Sequence, residues 1–299
     1  MGVSAMRALW LAGALAGAPA AAADVDAGIT VYAAGDIARC AYPDAKYTGA
    51  AETAATVAAG LAQDPHAIVL ALGDLTYPRG AAREFTDCYA PTWGRFRDRT
   101  WPAPGNHEYY TPGARPYFAW WGERAGRGYY SFDLGTWHVV SLDSNLSGAA
   151  HAAQLAWLRA DLASHPARCT LAFWHHPLYS SGGHGSVPKM RDAWQLLVDA
   201  GAELVLSGHD HDYERFAPQD ADGRLDAARG IRQFVVGTGG AYPTPFLLPV
   251  AHSEVRDSNR TGVLRLRLYA GGYGWEFIES TRVASTGIIP PDHGSTACH

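Results

Sequence analysis

Short apolar runs that stop at glycine punctuate this chain, and stretches with a helical repeat separate them. Residues 29–34 and 68–72 are two such runs, ending at Gly35-Asp36 and Gly73-Asp74. Brief apolar runs bounded by glycine predict buried strands. Between them, 47–63 is alanine-rich with no breaker except Gly49 and Gly60, which predicts a helix. Strand, helix and strand, with a carboxylate at each strand end, describe a βαβ unit whose functional groups gather at the carboxyl edge of a sheet.

Further along, 84–99 predicts a helix broken near Pro91, and 101–108 a Pro/Gly-rich surface loop. A hairpin across Leu134-Gly135 joins strands at 129–132 and 137–142, and Leu155, Leu158 and Leu162 mark the apolar stripe of a helix starting near His151. Strands follow at 169–174, running into His175-His176-Pro177, at 204–206, and at 231–236, which ends in Gly237-Thr238-Gly239-Gly240. Gly182-Gly183-His184-Gly185 reads as a flexible loop and 189–199 as a helix. Leu264, Leu266 and Leu268 alternate with Arg265 and Arg267, and Gly271-Gly272 turns the chain into 273–278, an antiparallel hairpin with one buried face.

The run 204–206 breaks at Ser207-Gly208, and His209 and His211 follow at once. In extended chain, residues two apart point the same way, so both imidazoles face one spot beyond the strand end. That suggests metal. A metallo-β-lactamase-like His-x-His-x-Asp-His fails at Tyr213 and Glu214, and a zincin-like His-Glu-x-x-His beginning at His107 fails at Thr111. Instead, separate segments each place a donor at a strand end or in a Gly/Pro loop: Asp36, Asp74, Asn106-His107, His175, and His209 with His211. One bridging carboxylate with N/O ligands on either side is how a dinuclear site is built.

Composition narrows the setting. Arg7, the apolar stretch 8–18 and Ala21-Ala22-Ala23 read as a signal peptide over 1–23, leaving 24–299 as one domain with a substantial core. No apolar run is long enough to span a bilayer, no cysteine follows the leader's apolar stretch, and a single arginine argues against a twin-arginine signal. The expectation is a secreted or periplasmic protein without a membrane anchor. A formal charge of −5 without Lys/Arg runs argues against nucleic-acid partners. The four cysteines lack Cys-x-x-Cys spacing and meet an oxidising compartment, so structural disulfides are expected. Cys40 and Cys88 both follow motif aspartates at the same sheet edge and are expected to pair, which leaves Cys169 to tether Cys298. Asn145-Leu146-Ser147 and Asn259-Arg260-Thr261 are glycosylation sequons in a host that glycosylates.

Taken together, Gly-Asp (35–36), Gly-Asp-x-x-Tyr (73–77), Gly-Asn-His-Glu (105–108), His-x-Pro (175–177) and Gly-His-x-His-x-Tyr-Glu-Arg (208–215) resemble the calcineurin-like metallophosphoesterases, and more narrowly the purple acid phosphatases. The resemblance runs from Asp36 to about Gly240 with motif order intact. It implies an α/β (α+β) fold, a four-layer α/β/β/α sandwich of two mixed sheets flanked by helices. Larger plant members carry an additional N-terminal β-sandwich domain, for which the first motif here follows the leader too closely.

Carried over position by position, the resemblance makes Asp74 the bridge between two metal ions. Asp36, Tyr77 and His211 complete the first site, and Asn106, His175 and His209 the second. Most relatives have a histidine where this chain has Ala38, and Tyr77 supplies the substitute, the purple-acid-phosphatase variant. His176 is assigned a supporting role. With Asp36, Asp74 and an ionised Tyr77 as anionic ligands, Fe(III) plus Zn, Mn or Fe(II) leaves the cluster net positive even after a bridging hydroxide. Two divalent ions with the same ligands leave it neutral, and two divalent ions with a neutral phenol are the alternative. The metals would bind phosphate oxygens and activate a water that attacks phosphorus in line. His107 and His184 are the expected phosphate ligands and proton donors. The reading is an exported phosphomonoesterase of acid-phosphatase type acting on a phosphorylated small molecule. Its alternatives are a phosphodiesterase or nucleotidase on the same site, or a non-catalytic binding protein of the same fold.

Overall fold

The computed structural model describes residues 1–2, 28–40, 44–45, 48–280 and 292–299. Apart from residues 1–2, the expected leader lies outside them. In chain order the elements are β1 (Ile29–Ala34), β2 (Ala38–Arg39), α1 (Gly49–Gln63), β3 (Ile68–Leu72), β4 (Thr76–Tyr77), α2 (Ala82–Glu84), β5 (Thr100–Ala103), α3 (Asn106–Tyr109) and α4 (Arg115–Trp121). Then come β6 (Tyr130–Leu134), β7 (Trp137–Ser141), α5 (Gly148–Ser164), β8 (Cys169–Phe173), α6 (Arg191–Asp199), β9 (Leu204–Ser207), β10 (Tyr213–Phe216), β11 (Arg232–Val236) and β12 (Ser253–Asp257). The hairpin β13 (Gly262–Tyr269) and β14 (Gly272–Glu279) precedes β15 (His293–Ala297).

The strands form two large mixed sheets. One has six strands in the order β15-β14-β13-β1-β3-β5, the other seven in the order β12-β10-β11-β9-β8-β7-β6. The apolar pattern decides which faces meet. Val139, Leu171, Leu204 and Phe234 share a core with Val31, Leu264 and Leu266 of the first sheet. Their neighbours Val140, Ala172 and Val205 point the other way, onto Leu158 of α5 and Trp194 and Leu197 of α6. Helix α1 lays Ala54, Val57 and Leu61 against the first sheet, so two sheets lie between helical layers. A truncation such as Leu171→Ala in this inter-sheet core costs about 2–5 kcal/mol.

Thr48 caps α1 by accepting the Ala51 amide at 3.3 Å. In β13, Leu264, Leu266 and Leu268 are buried and Arg265 and Arg267 lie on the other face, as the alternation predicts. The disulfides join Cys40 to Cys88 and Cys169 to Cys298, with Cα–Cα distances of 5.6 and 5.9 Å.

Two segments differ from expectation. The helix predicted over 84–99 is broken into α2, a π-turn at Phe85–Tyr89 and a 3₁₀ segment at Trp93–Arg99. Pro91 cannot donate to a helical ladder, and Cys88 is held to Cys40. The loop predicted over 101–108 begins as β5 and ends in α3. Pro102 hid that strand, which is possible because β5 is an edge strand, where a missing N–H leaves the sheet intact.

Candidate metal centre

β1 and β3 run parallel, pairing Ala34 with Ala71, and both break at Gly-Asp. The breaks stay in step: the Asp36 amide donates to the Gly73 carbonyl at 3.0 Å and the Ile37 amide to that of Asp74 at 2.9 Å. Pairing then resumes as β2 beside β4, with Arg39 opposite Tyr77. Asp36 and Asp74 have φ of 60° and 50°, and His209, after β9, has 74°. Such left-handed conformations cost a non-glycine residue about 1–3 kcal/mol and collect at functional sites. Among the described residues five non-glycines have positive φ, and three of them are here. Gly73, at φ 86°, cannot be replaced, because a Cβ there would lie 2.7 Å from the His175 ring.

These kinks turn the side chains inward. The Tyr77 hydroxyl donates to Asp36 Oδ1 at 2.8 Å, lies 3.3 Å from Asp74 Oδ2 and is 3.2 Å from His211 Nε2. His175 Nε2 is 3.1 Å from Asn106 Oδ1, 3.3 Å from Asp74 Oδ2 and 3.3 Å from His209 Nδ1. All seven expected ligands therefore converge, with Asp74 shared between the Tyr77 group and the His175 group. Asp36, Asp74 and His175 are fully buried, and their donor atoms lie within 4.8 Å of one another.

The imidazoles are oriented from behind. His175 Nδ1 faces the Leu72 carbonyl at 2.9 Å, and His211 Nδ1 that of Tyr242 at 2.7 Å. A carbonyl only accepts, so each Nδ1 carries the hydrogen and each Nε2 turns into the centre, the arrangement that fixes metal-binding histidines. Burial lowers the His175 pKa but Asp74 and its hydrogen bond win, raising it to about 10. Asp74 is correspondingly held well below the carboxylate range, its burial outweighed by His175. Burial and His175 push His209 down to about 4, leaving it neutral with a lone pair to give. The donor set fits metal: buried anions and neutral imidazoles converge where a cation would replace the proton that His175 otherwise takes.

Residues 29–213 match the family Calcineurin-like phosphoesterase. The chain belongs to this family. Similar proteins include purple acid phosphatase 15 of Arabidopsis thaliana, 29% identical over 213 residues, or 58% of this chain and 40% of that protein. Among solved structures, the purple acid phosphatase PPD1 of yellow lupin (Lupinus luteus) superposes with a TM-score of 0.68 at 20% identity, covering 91% of this chain and 54% of the other. A dimetal phosphatase from Danio rerio gives a TM-score of 0.63 at 14% identity, covering 92% of this chain and 100% of the other. At these identities the structures share the fold. The chain spans less than half the length of the Arabidopsis relative.

In this calcineurin-like phosphoesterase the two expected proton donors stand beside different expected ligands, His107 against Tyr77 and His184 against His209. His107 packs its ring 4.3 Å from that of Tyr77, with Nδ1 donating to the Pro78 carbonyl at 2.7 Å and Nε2 3.8 Å from Asp74 Oδ2. His184 is 45% exposed and its ring lies 4.7 Å from that of His209. His176, expected in a supporting role, also lies at the centre, with a ring nitrogen within 4.8 Å of donor atoms of His175 and His209. Ser144 bonds both its Nδ1, at 2.8 Å, and its amide, at 3.0 Å, and its ring packs 4.4 Å from His209. Burial and the neighbouring His175 lower its pKa to about 2.

Two residues were missed as contributors. Glu108 closes the Gly-Asn-His-Glu motif, and its fully buried carboxylate accepts the amides of Asp74, Leu75 and Gly105 at 2.9, 2.9 and 2.7 Å. Asp210, between the two histidines of the motif, accepts the His184 amide at 2.7 Å and faces its Nδ1 at 3.1 Å. Spacing offers no signal for Asp210, because His209 is left-handed at φ 74° and the alternation of extended chain does not hold there.

Proposed function

We propose that this chain is an exported phosphoric monoester hydrolase of acid-phosphatase type, with two metal ions bridged by Asp74. Asp36, Tyr77 and His211 hold one ion, and Asn106, His175 and His209 the other. The observation that carries this is the convergence of seven donors from separate chain segments on one buried point, with half-exposed histidines beside it. Bound there, the ions would supply Lewis acidity toward phosphate oxygens and an activated water for attack on phosphorus.

The chain's own residues do the rest. The hydrogen bond to Asp210 raises the His184 pKa against partial burial, which favours the protonated ring. That ring can pass its proton to the departing alkoxide. His107, fixed by the Pro78 carbonyl through Nδ1, offers Nε2 to a phosphate oxygen. Asn106 keeps Oδ1 inward because its amide nitrogen donates to the Tyr110 hydroxyl at 3.2 Å.

Tyr77 favours an iron(III)-containing pair, with Zn, Mn or Fe(II) as the second ion. Burial, Asp36 and Asp74 raise the phenol's pKa well above its ordinary value, so ionising it takes a strongly polarising cation. Export rests on the leader at 1–23, with 24–299 as the mature domain, and fits the two disulfides. Among the described residues no helix is long and apolar enough to cross a membrane.

The test is an assay of the metal-loaded mature chain on para-nitrophenyl phosphate and on bis(para-nitrophenyl) phosphate. Preferential hydrolysis of the monoester supports the reading. Preference for the diester transfers the site to phosphodiester chemistry, and inactivity on both with two metals bound refutes hydrolysis.

A further inference from the structure

A second cluster of metal-type donors lies away from this centre. The expected ligands follow the carboxyl ends of β1, β3, β5, β8 and β9, whereas His138 is near the amino end of β7, which runs parallel to β8. Asp161 and His165 sit one turn apart at the end of α5, just before β8 begins. Residues four apart on a helix share a face, so topology brings an Asp/His pair from α5 against a histidine on the neighbouring strand.

The distances suit coordination. Asp161 Oδ2 is 2.9 Å from His138 Nε2, and Asp161 Oδ1 is 3.4 Å from His165 Nδ1. The three donor atoms lie within 4.8 Å of one another. Zinc bonds of about 2.0–2.2 Å place tetrahedral ligand atoms roughly 3.3 Å apart, between the two contacts observed. Behind His138, Asp133 Oδ1 lies 2.9 Å from Nδ1, and behind Asp161, the Ser131 hydroxyl donates to Oδ1 at 2.7 Å. A carboxylate on the far nitrogen of a ligating histidine is the usual support of a zinc site.

Hydrogen counting gives a second argument. His138 is buried between two carboxylates, and a neutral imidazole has one N–H, so it can donate to only one of them. With Nδ1–H donating to Asp133, Nε2 turns its lone pair toward Asp161 Oδ2 at 2.9 Å, a pair of donors that a cation would bridge. The His165 ring lies on that of His138 with centroids 4.8 Å apart and planes 7° from parallel, and because a lone pair lies in the plane of its ring, sharing an ion requires the exposed His165 ring to turn. His165 Nδ1 also faces the Asp161 carbonyl at 2.9 Å, a hydrogen bond that coordination would exchange for a metal bond.

We propose that His138, Asp161 and His165 form a further cation site for one zinc-class divalent ion, joining β7 to the end of α5. Two imidazoles and one carboxylate favour zinc over magnesium or calcium, which take oxygen donors. Access is open: His165 is 44% exposed and borders surface clefts of about 390 and 200 Å³. A water from that side would complete the coordination.

The test counts zinc, not turnover, so it is independent of the phosphatase reading. Wild-type mature chain and His165→Ala are saturated with zinc, freed of excess by dialysis and analysed for zinc per chain, with Tm measured with and without added zinc. The catalytic centre loads equally in both. The expected result is one zinc fewer per chain in His165→Ala, loss of the zinc-dependent Tm rise and unchanged hydrolysis of para-nitrophenyl phosphate. Asp133→Asn, on an exposed side chain, keeps all three donors and should weaken zinc binding at this site about 10–100-fold. Equal zinc content and equal zinc-dependent Tm in wild type and His165→Ala would overturn the proposal.

Discussion

Glu108 accepts the backbone amide of Asp74 at 2.9 Å, so the proposed bridging carboxylate is positioned through its own main chain. The same buried side chain accepts the amide of Gly105, which begins the turn carrying Asn106. One carboxylate thus sets the spacing between segments that supply ligands to both proposed ions. Glu108→Gln turns an NH₂ group toward the two backbone N–H donors that one oxygen now accepts, Asp74 with Gly105 or Leu75 with Thr76, and leaves that pair without an acceptor. A buried unsatisfied donor costs about 1–3 kcal/mol. The expected outcome is a lower Tm and less bound metal, read by thermal melting and metal analysis of the same preparation. Unchanged values for both would show that Glu108 does not position the site.

Asp74 itself carries a separate prediction. Its Oδ2 faces both Tyr77 and His175, so Asp74→Ala should remove activity together with at least one metal per chain. The inter-sheet core does not include Asp74, so the variant should keep its fold by circular dichroism. Full metal occupancy in a folded Asp74→Ala protein would count against the bridging assignment.

The sequence was informative wherever an apolar strand ran into a polar break. β1, β3, β8 and β9 are buried runs, and each delivers a site residue at or just after its end, so strand and donor were legible together. β12 and β15 were not legible. Both are edge strands, Ser253–Asp257 and His293–Ala297, whose side chains apart from Asp257 are half-exposed or exposed, and they carry no alternating apolar signal. Glu108 and Asp210 went unassigned for a different reason: their work is with backbone amides, which leave no trace in side-chain spacing. The cluster of His138, Asp161 and His165 is assembled by the packing of α5 beside β7, and no local motif announces it.

Glu203 sets a pH dependence remote from the proposed catalytic metals. Burial raises its pKa from an ordinary 4.5 to about 7, against the lowering effects of the His299 amide and Arg168. The Cys169–Cys298 disulfide keeps His299 there, its amide 2.8 Å from Glu203 Oε1. Because the folded-state pKa lies above the unfolded one, the native state holds this proton more tightly. Its contribution to stability is full below about pH 4.5 and is lost as pH rises through about 7. Glu203→Gln should therefore flatten the fall in Tm across that window. Parallel Tm–pH curves for the two proteins would assign the slope to other groups.

Tyr77 decides whether the centre is of the iron(III)–tyrosinate kind. Simple packing beside Pro78 would leave its hydroxyl without a special address, yet it sits 2.8 Å from Asp36 Oδ1 and 3.2 Å from His211 Nε2. Ala38 provides no imidazole on this side, so Tyr77 is the remaining donor for the first ion. Burial between Asp36 and Asp74 keeps the phenol protonated, and a divalent ion has less power to reverse that than a trivalent one. A phenolate on Fe(III) absorbs visible light by charge transfer, whereas a phenol beside two zinc ions does not. Protein purified aerobically with iron should be coloured. Tyr77→Phe should bleach it with little change in fold, since the substitution removes one hydroxyl and keeps the ring against His107. Colourless wild-type protein, fully active with two divalent ions, would remove the iron(III)–tyrosinate assignment. The two-metal phosphoesterase reading would stand, because it rests on the carboxylates and imidazoles around Tyr77.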